Sequence, residues 1–433
     1  MDFLAPDRSL NLERASPRRP DAWKGLALIG PRLTGCGGKL IHNGSIPAPA
    51  FPSAGRHTVS PESKRAYPHQ MLAEIYEQPR ALRETIERFV EQGRIFCTAL
   101  GAIQADLQNC EKLIIAASGS SRHAGLAGEI QIEELCGLPV DVEYASEYAY
   151  RPSGTSPGTL VMVISQSGES ADAIAALREA RRRGAATLGV TNAPDSTIAR
   201  EASATLLTRA TPELAVPATK SFTTQLAVLF LFALRMAGEW DRMDSRAAAA
   251  HLGRLGAIPG HLEDLLDAWS AEALAAAQRF AGSKTFLCIG RGVHYAIARE
   301  GALKLKEISY SHAEGYPAGE LLHGPNALLG EKSVVVALAT RDAADADSVN
   351  RYERTLAVLE YVKAHRGRAL VIASEKDDRA RALGDCTLFV PGAPELLLPL
   401  LEVVPLQLFA YHFGVLHGCD VDHPRNLVKA VTT

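Results

Sequence analysis

The chain has no C-x-x-C pair: its seven cysteines (Cys36, Cys97, Cys110, Cys136, Cys288, Cys386 and Cys419) are odd in number and scattered over 433 residues. That pattern argues against a disulfide framework and a zinc site, and points to a reducing cytoplasm. Long hydrophobic runs are missing as well. The longest, around QLAVLFLFALRMAG, holds about 14 residues where a bilayer span needs about 20, so a soluble protein without a membrane partner is expected. An excess of one charge is also absent: the formal net charge is -3 with 22% charged residues. Such a balance offers no basic field to nucleic acid. No G-x-x-x-x-G-K-[ST] occurs and no G-x-G-x-x-G follows a strand-like run, which weakens any nucleotide reading. Metal-ligand spacing is lacking, and neither metal nor cofactor is expected. These exclusions leave a small ligand handled by ordinary side chains.

A length of 433 residues fits two or three domains. Residues 1–65 are rich in Pro, Gly, Arg and Ser without period 2 or 3.6, so a disordered extension is expected. A true translation start near Met71 is the alternative. Order should begin with the amphipathic pattern HQMLAEIYEQPRALRETIERFV, interrupted at Pro79. Beyond it strand-like and helix-like segments alternate, the grammar of parallel α/β layers. KLIIAAS, LVMVISQSG and ATLGVTN read as buried strands, and TKSFTTQLAVLFLFALRMAG as a helix apolar almost all round. The same grammar then returns. TFLCIGRGVHYAIAREGALKLKEI repeats LIIAASGSSRHAGLAGEIQIEEL, with Gly290 under Gly119, His294 under His123 and Glu300 under Glu129. The expected fold class is α/β: two doubly wound parallel-sheet domains in tandem, with sites at the carboxyl ends of their strands.

Two of those ends carry serines. ASGSS (Ala117 to Ser121) and SQSGES (Ser165 to Ser170) put hydroxyls on tight turns where helices begin. Free backbone N–H groups and the positive end of the helix dipole favour an anion there, and serine hydroxyls add neutral donors. A sugar phosphate suits such turns; the plainer reading makes Ser121 and Ser170 helix caps. A second unusual stretch is SYSHAEGYPAGELLHGP, from Ser309 to Pro325, which reads as a loop yet carries two histidines and two glutamates. Those are proton-transfer groups, not core builders.

From about Tyr67 onward the sequence resembles the isomerase half of glutamine-fructose-6-phosphate transaminase (isomerizing), a family built from two sugar isomerase (SIS) domains. EIYEQP, SQSGESAD, VPATKSFTTQL, EGALKLKEISYSHAEGYPAGELLHGP, VPLQLFAYH and DVDHPRNLVKAVT carry the resemblance, in the family's order. It implies SIS domains at residues 66–250 and 251–420, a tail at 421–433 closing over the active site, and a sugar-phosphate substrate. Ser120, Ser121, Ser165, Gln166, Ser167, Ser170, Val216 and Ala218 fall on substrate-binding positions. Glu307 falls on the carboxylate that moves a proton between C1 and C2, with Lys304 one turn earlier on the same helical face. His323 falls on the ring-opening histidine, which the family contributes from the neighbouring subunit, so a homodimer is implied. Lys429 falls on the lysine that forms a Schiff base with the open-chain ketose. That role needs a neutral amine, and therefore burial or nearby cations that depress its pKa. His312 and Glu314 match the pattern too and are expected to pack without reacting.

Three positions depart from the family. Asp2 stands where the glutaminase half has its cysteine nucleophile, and residues 1–65 are too few for that fold. Glutamine hydrolysis is therefore not expected of this chain, and a separate ammonia-supplying subunit is a candidate partner. Ala218 replaces a serine and Leu322 a lysine usual in the synthases; both are deaminase-like, whereas the tail PRNLVKAVT is synthase-like. The expected function is reversible interconversion of glucosamine 6-phosphate with fructose 6-phosphate and ammonia, running as a deaminase. The alternatives are an ammonia- or partner-dependent synthase, a fructosamine-6-phosphate deglycase and a non-catalytic sugar-phosphate sensor. Glu307, Lys304, His323 and Lys429 occurring together argue against the sensor.

Overall fold

Short runs of Val, Ile, Leu and Ala that are apolar on both faces build parallel sheet, and the chain arranges them in two five-stranded sheets. The computed structural model describes residues 66–432 except 92 and 153. The expected disorder of residues 1–65 lies outside the described residues. The first sheet contains β1 (Lys112–Ala117), β2 (Val140–Tyr144), β3 (Thr159–Ile164), β4 (Ala186–Thr191) and β5 (Ala204–Leu207), in the order β2-β1-β3-β4-β5. The second contains β6 (Thr285–Gly290), β7 (His312–Pro317), β8 (Ser333–Ala339), β9 (Arg368–Ser374) and β10 (Cys386–Val390), in the order β7-β6-β8-β9-β10. Every pairing in both is parallel. The two halves share one topology, in which the strand order reverses at the first strand of each sheet. Such a reversal opens a crevice at the strand ends, between β1 and β3 in the first half and between β6 and β8 in the second.

Ahead of the sheets lie α1 (Gln70–Tyr76) and α2 (Gln78–Phe89). Pro79 sits in the first turn of α2, where its missing N–H is not needed, and so starts the second helix as it ends the first. The longer helices that follow are α3 (Gly119–Cys136), α4 (Ala171–Arg182), α5 (Lys220–Glu239), α6 (Ser245–Arg279), α7 (Val293–Ser309), α8 (Ala346–Ala364) and α9 (Leu398–Leu416). The expected boundary between residues 250 and 251 falls inside α6. α3 packs on α5, α7 on α9, and α3 on α7. One apolar cluster runs through these contacts and joins both sheets, including Leu226, Phe230, Phe286, Phe409 and Phe413. Each such side chain contributes about 1.5–3 kcal/mol on burial. Two helical stretches, Lys220–Glu239 and Glu395–Leu416, are long and apolar enough to cross a membrane, but 89% and 94% of their most apolar windows are buried inside the protein. They are the central helices of the core.

The stretch from Ser309 to Pro325 is not simply a loop. Ser309 ends α7, His312–Pro317 forms β7 at the edge of the second sheet, and Ala318–Leu322 is a 3-10 turn. Backbone pairing with β6 makes the strand, while its outer side chains stay partly exposed, which gives the segment its polar sequence. Gly315 marks the close approach of α7: a Cβ there would lie 2.6 Å from Arg299 Cα.

In the second half the crevice is filled from within. Glu395 accepts from Arg351 Nε at 2.9 Å, and His294 lies between Glu395 (3.2 Å) and Glu402 (2.7 Å), which also accepts from Thr340. Burial alone would lower the His294 pKa, but the two carboxylates raise it to about 9. The folded value exceeds the ordinary 6.5, so this group's stability contribution is complete below pH 6.5 and is lost as pH rises through 9. Thermal midpoints of the wild type should therefore fall across that window, and His294→Gln should flatten the slope. A wild-type midpoint that does not change from pH 6.5 to 9 would contradict the assignment.

Candidate active site

α3 and α7 are the equivalent helices of the two halves, and their contact carries side chains of the second half to the strand ends of the first. Glu300 is fully buried there. Its Oε1 accepts from Ser120 Oγ at 2.8 Å, and its Oε2 lies 2.8 Å from His123 Nδ1. Lys304 Nζ is 3.4 Å from Glu300 Oε1 and 2.6 Å from Glu307 Oε2. The i+4 and i+3 spacings put all three on one face of α7. Burial would raise the Glu300 carboxyl, but Lys304, His123 and Ser120 hold it below the usual carboxylate range. Burial would lower the Lys304 ammonium, yet Glu307 and Glu300 push it above its ordinary value. Lys304 is thus a fixed cation. Glu307 Oε2 is buried in this 2.6 Å ion pair with Lys304 Nζ, while the Glu307 side chain as a whole stays 21% exposed. A carboxylate anchored to a fixed cation through one oxygen, with its side chain still partly exposed, is placed to take a proton from carbon. Glu307 also lines a cavity of about 570 Å³ with Lys306, Tyr310, Ser311 and Arg425.

The serine turns follow β1 and β3, on either side of the first crevice. Ser165 Oγ lies 3.1 Å from Ser170 Oγ and accepts from Gly168 N at 3.2 Å. Ser167 Oγ accepts from Glu169 N at 3.2 Å, and Ser121 Oγ from Gln225 Nε2 at 3.1 Å. The capping explanation does not hold. Ser170 occupies the N-cap position of α4 but makes no capping bond, and Ser121 lies inside the first turn of α3. The second turn is braced from behind: Gln166 O accepts from Asn192 N at 3.1 Å, and Glu169 accepts from Thr197 N and Oγ1 at 2.7 and 2.8 Å. Gly168 permits this course because its φ is +65° and a Cβ would fall 2.0 Å from Ser196 Oγ. Gly168→Ala should destabilise the protein by about 1–3 kcal/mol and raise KM more than it lowers kcat. An unchanged denaturation midpoint would refute this account of the turn.

The tail is tied at several points. Asp422 O accepts from Val216 N at 2.8 Å, its carboxylate accepts from the first two N–H groups of α1 (Gln70 at 3.0 Å, Met71 at 2.8 Å), and Val431 O accepts from Ala171 N at 3.0 Å. These ties seat Lys429 Nζ 2.6 Å from Glu213 Oε2 and 2.8 Å from Ala215 O. Glu213 is buried and also accepts from Thr219 N (2.8 Å), Ser221 N (3.2 Å) and Ser221 Oγ (2.6 Å). Burial would raise its carboxyl, but Lys429 and those donors hold it below the usual range. Of the two settings expected for Lys429, burial or nearby cations, it has partial burial, and its direct partner is the Glu213 carboxylate.

The structure therefore gathers Ser120, Lys304 and Glu307 around Glu300, and Lys429 around Glu213, which also acts electrostatically on Lys304. Val216 and Ala218 lie half-buried on the segment between Glu213 and α5. His323 is exposed at the end of the 3-10 turn, and no hydrogen bond or ion pair among the described residues joins it to Glu307, Lys304 or Lys429. Sequence reasoning missed Glu300, His123 and Glu213. For the first two a signal existed, because the internal repeat marks both positions. No group of three or more His, Cys, Asp or Glu among the described residues is arranged to hold a metal.

The SIS domain model matches residues 106–235 and 279–416. Glutamine–fructose-6-phosphate aminotransferase [isomerizing] of Chlorobaculum tepidum is 42% identical over 375 residues, covering 85% of this chain and 59% of that protein. Its namesake in Methanosarcina acetivorans is 43% identical over 372 residues, again covering 85% and 59%. The chain thus spans about three-fifths of the length of these relatives. Among solved structures, the C-terminal domain of glucosamine-fructose-6-phosphate aminotransferase from Francisella tularensis superposes with a TM-score of 0.77 and 35% identity, covering 84% of this chain and 99% of that one. Glucosamine-6-phosphate deaminase from Thermotoga maritima superposes with a TM-score of 0.63 over 84% of this chain and 99% of that one, and at 21% identity the likeness is one of fold.

Proposed function

The chain belongs to the SIS domain family, and from that membership we propose that it interconverts fructose 6-phosphate and glucosamine 6-phosphate, with ammonia as the nitrogen exchanged. The observation that carries the reading is the Glu307 carboxylate on the wall of an open cavity, anchored through one oxygen, at 2.6 Å, to the buried cation of Lys304. The phosphate sits on the serine turns at Ser165–Ser170 and Ser120–Ser121, held by hydroxyls and helix N-terminal N–H groups. Lys429 joins C2 of the open-chain ketose as an imine with loss of water, and ammonia then displaces the lysine. Glu307 takes a proton from C1 as the imine nitrogen gains one. It returns a proton to C2 as O1 loses one, leaving a 2-amino aldose. Lys304 offsets the negative charge that develops in between. His323 opens the sugar ring from a second copy of this chain, which accounts for its exposure within one chain.

Ala218 and Leu322 favour the deaminating direction, whereas the relatives at about two-fifths identity bear the aminotransferase name. Both directions use the same groups, so ammonia supply sets the net flow, including supply by a separate subunit. The test is ammonia release from glucosamine 6-phosphate by the purified protein, run beside fructose 6-phosphate with ammonium. Turnover in either assay is expected. Binding of both sugars without turnover, in a folded dimer, would overturn the enzymatic reading in favour of a sensor.

A further inference from the structure

The second half repeats the topology of the first, but its own crevice between β6 and β8 is closed by Arg351, Glu395, His294 and Glu402. An opening of about 580 Å³ lies one strand over instead, walled by the segments that follow β8, β9 and β10 and by Arg254 of α6. It occupies the carboxyl-end face where parallel sheets bind ligands, and its size is that of a small-molecule pocket.

Its walls are suited to an anion with hydroxyls. Arg341 is held in place by its Nη1 bond to Asp377 (2.7 Å) and by stacking 4.0 Å above the Tyr352 ring. Arg254 and Lys376 add two cations that enter no ion pair among the described residues. Lys376 stands in the left-handed region with φ +61°, a conformation that costs a non-glycine residue energy and places it on the wall of the opening. Asp342 Oδ1 accepts from Ala344 N at 2.9 Å within its own segment, and with Glu375 it supplies acceptors for sugar hydroxyls. No pair comparable to Glu307 and Lys304 lines this opening, so a ligand there is bound and not turned over.

We infer that this opening is a second site for a phosphate monoester of hexose size, separate from the Glu307 site. It stands whether or not the first half turns over a sugar. The test is equilibrium dialysis of labelled glucosamine 6-phosphate against the full chain carrying Glu307→Gln, with inorganic phosphate as competitor. Two equivalents per chain are expected. Adding Arg254→Glu and Lys376→Glu should weaken one equivalent about tenfold or more and leave the other, whereas adding Ser167→Ala and Ser170→Ala should do the reverse. Lys376→Gly, which relieves the left-handed backbone, provides a second loss of charge without threat to the fold. One equivalent, sensitive only to the serine changes, would overturn the second site and leave the proposed function standing. One equivalent, sensitive only to Arg254 and Lys376, would support the second site and overturn the phosphate role of the serine turns.

Discussion

Glu307→Gln is expected to lower kcat by about 10²–10⁴-fold while KM stays nearly unchanged. The amide keeps the volume of the side chain but cannot accept a proton from C1. Because Glu307 is only partly buried and lies on the wall of an open cavity, its loss of charge should cost little stability. In the proposed reading substrate grip depends on the serine turns and not on Glu307. Steady-state kinetics settle the point: activity near that of the wild type would remove Glu307 as the base, and a large rise in KM with kcat preserved would make it a binding group.

Lys304→Met should act on both stability and rate. Lys304 is fully buried between Glu300 and Glu307, with Glu213 acting on it as well, so its removal leaves buried carboxylates uncompensated. Breaking such a pair from one side costs about 3–5 kcal/mol, readable as a shift in the urea midpoint. The double variant Lys304→Met, Glu300→Gln should recover much of that stability, since the amide still accepts from Ser120 without a buried charge. It should not recover kcat, because the cation proposed to stabilise the intermediate is still absent. Full stability in the single variant would mean that water reaches this cluster; restored activity in the double would make Lys304 a structural residue.

The central strands were legible because they are buried on both faces. β1, β3, β4, β6, β8 and β9 are apolar runs with few exposed positions, and the sequence announces each of them. β2, β5 and β7 are edge strands with half-solvated side chains, so their patterns, VDVEY, ATLL and HAEGYP, look like turns or short fragments. Pairing to a neighbour made them strands, and no local signal encodes that. The Glu307–Lys304 pair was readable from helical spacing on α7. Glu300 joins Ser120 across 180 residues and Glu213 joins Lys429 across 216, contacts made only by folding. The carboxylate beside Lys429 was not readable for the same reason: it comes from a distant segment.

The most direct test of the central claim, that Glu307 moves a proton between two sugar carbons, is deuterium wash-in. Fructose 6-phosphate with ammonium, and separately glucosamine 6-phosphate, would be incubated with the protein in D2O and followed by NMR. Solvent deuterium should appear at C1 of the ketose and C2 of the amino sugar with the wild type, and at neither position with Glu307→Gln. Equal incorporation by the variant, or none by a wild type that still releases ammonia, would contradict the claim.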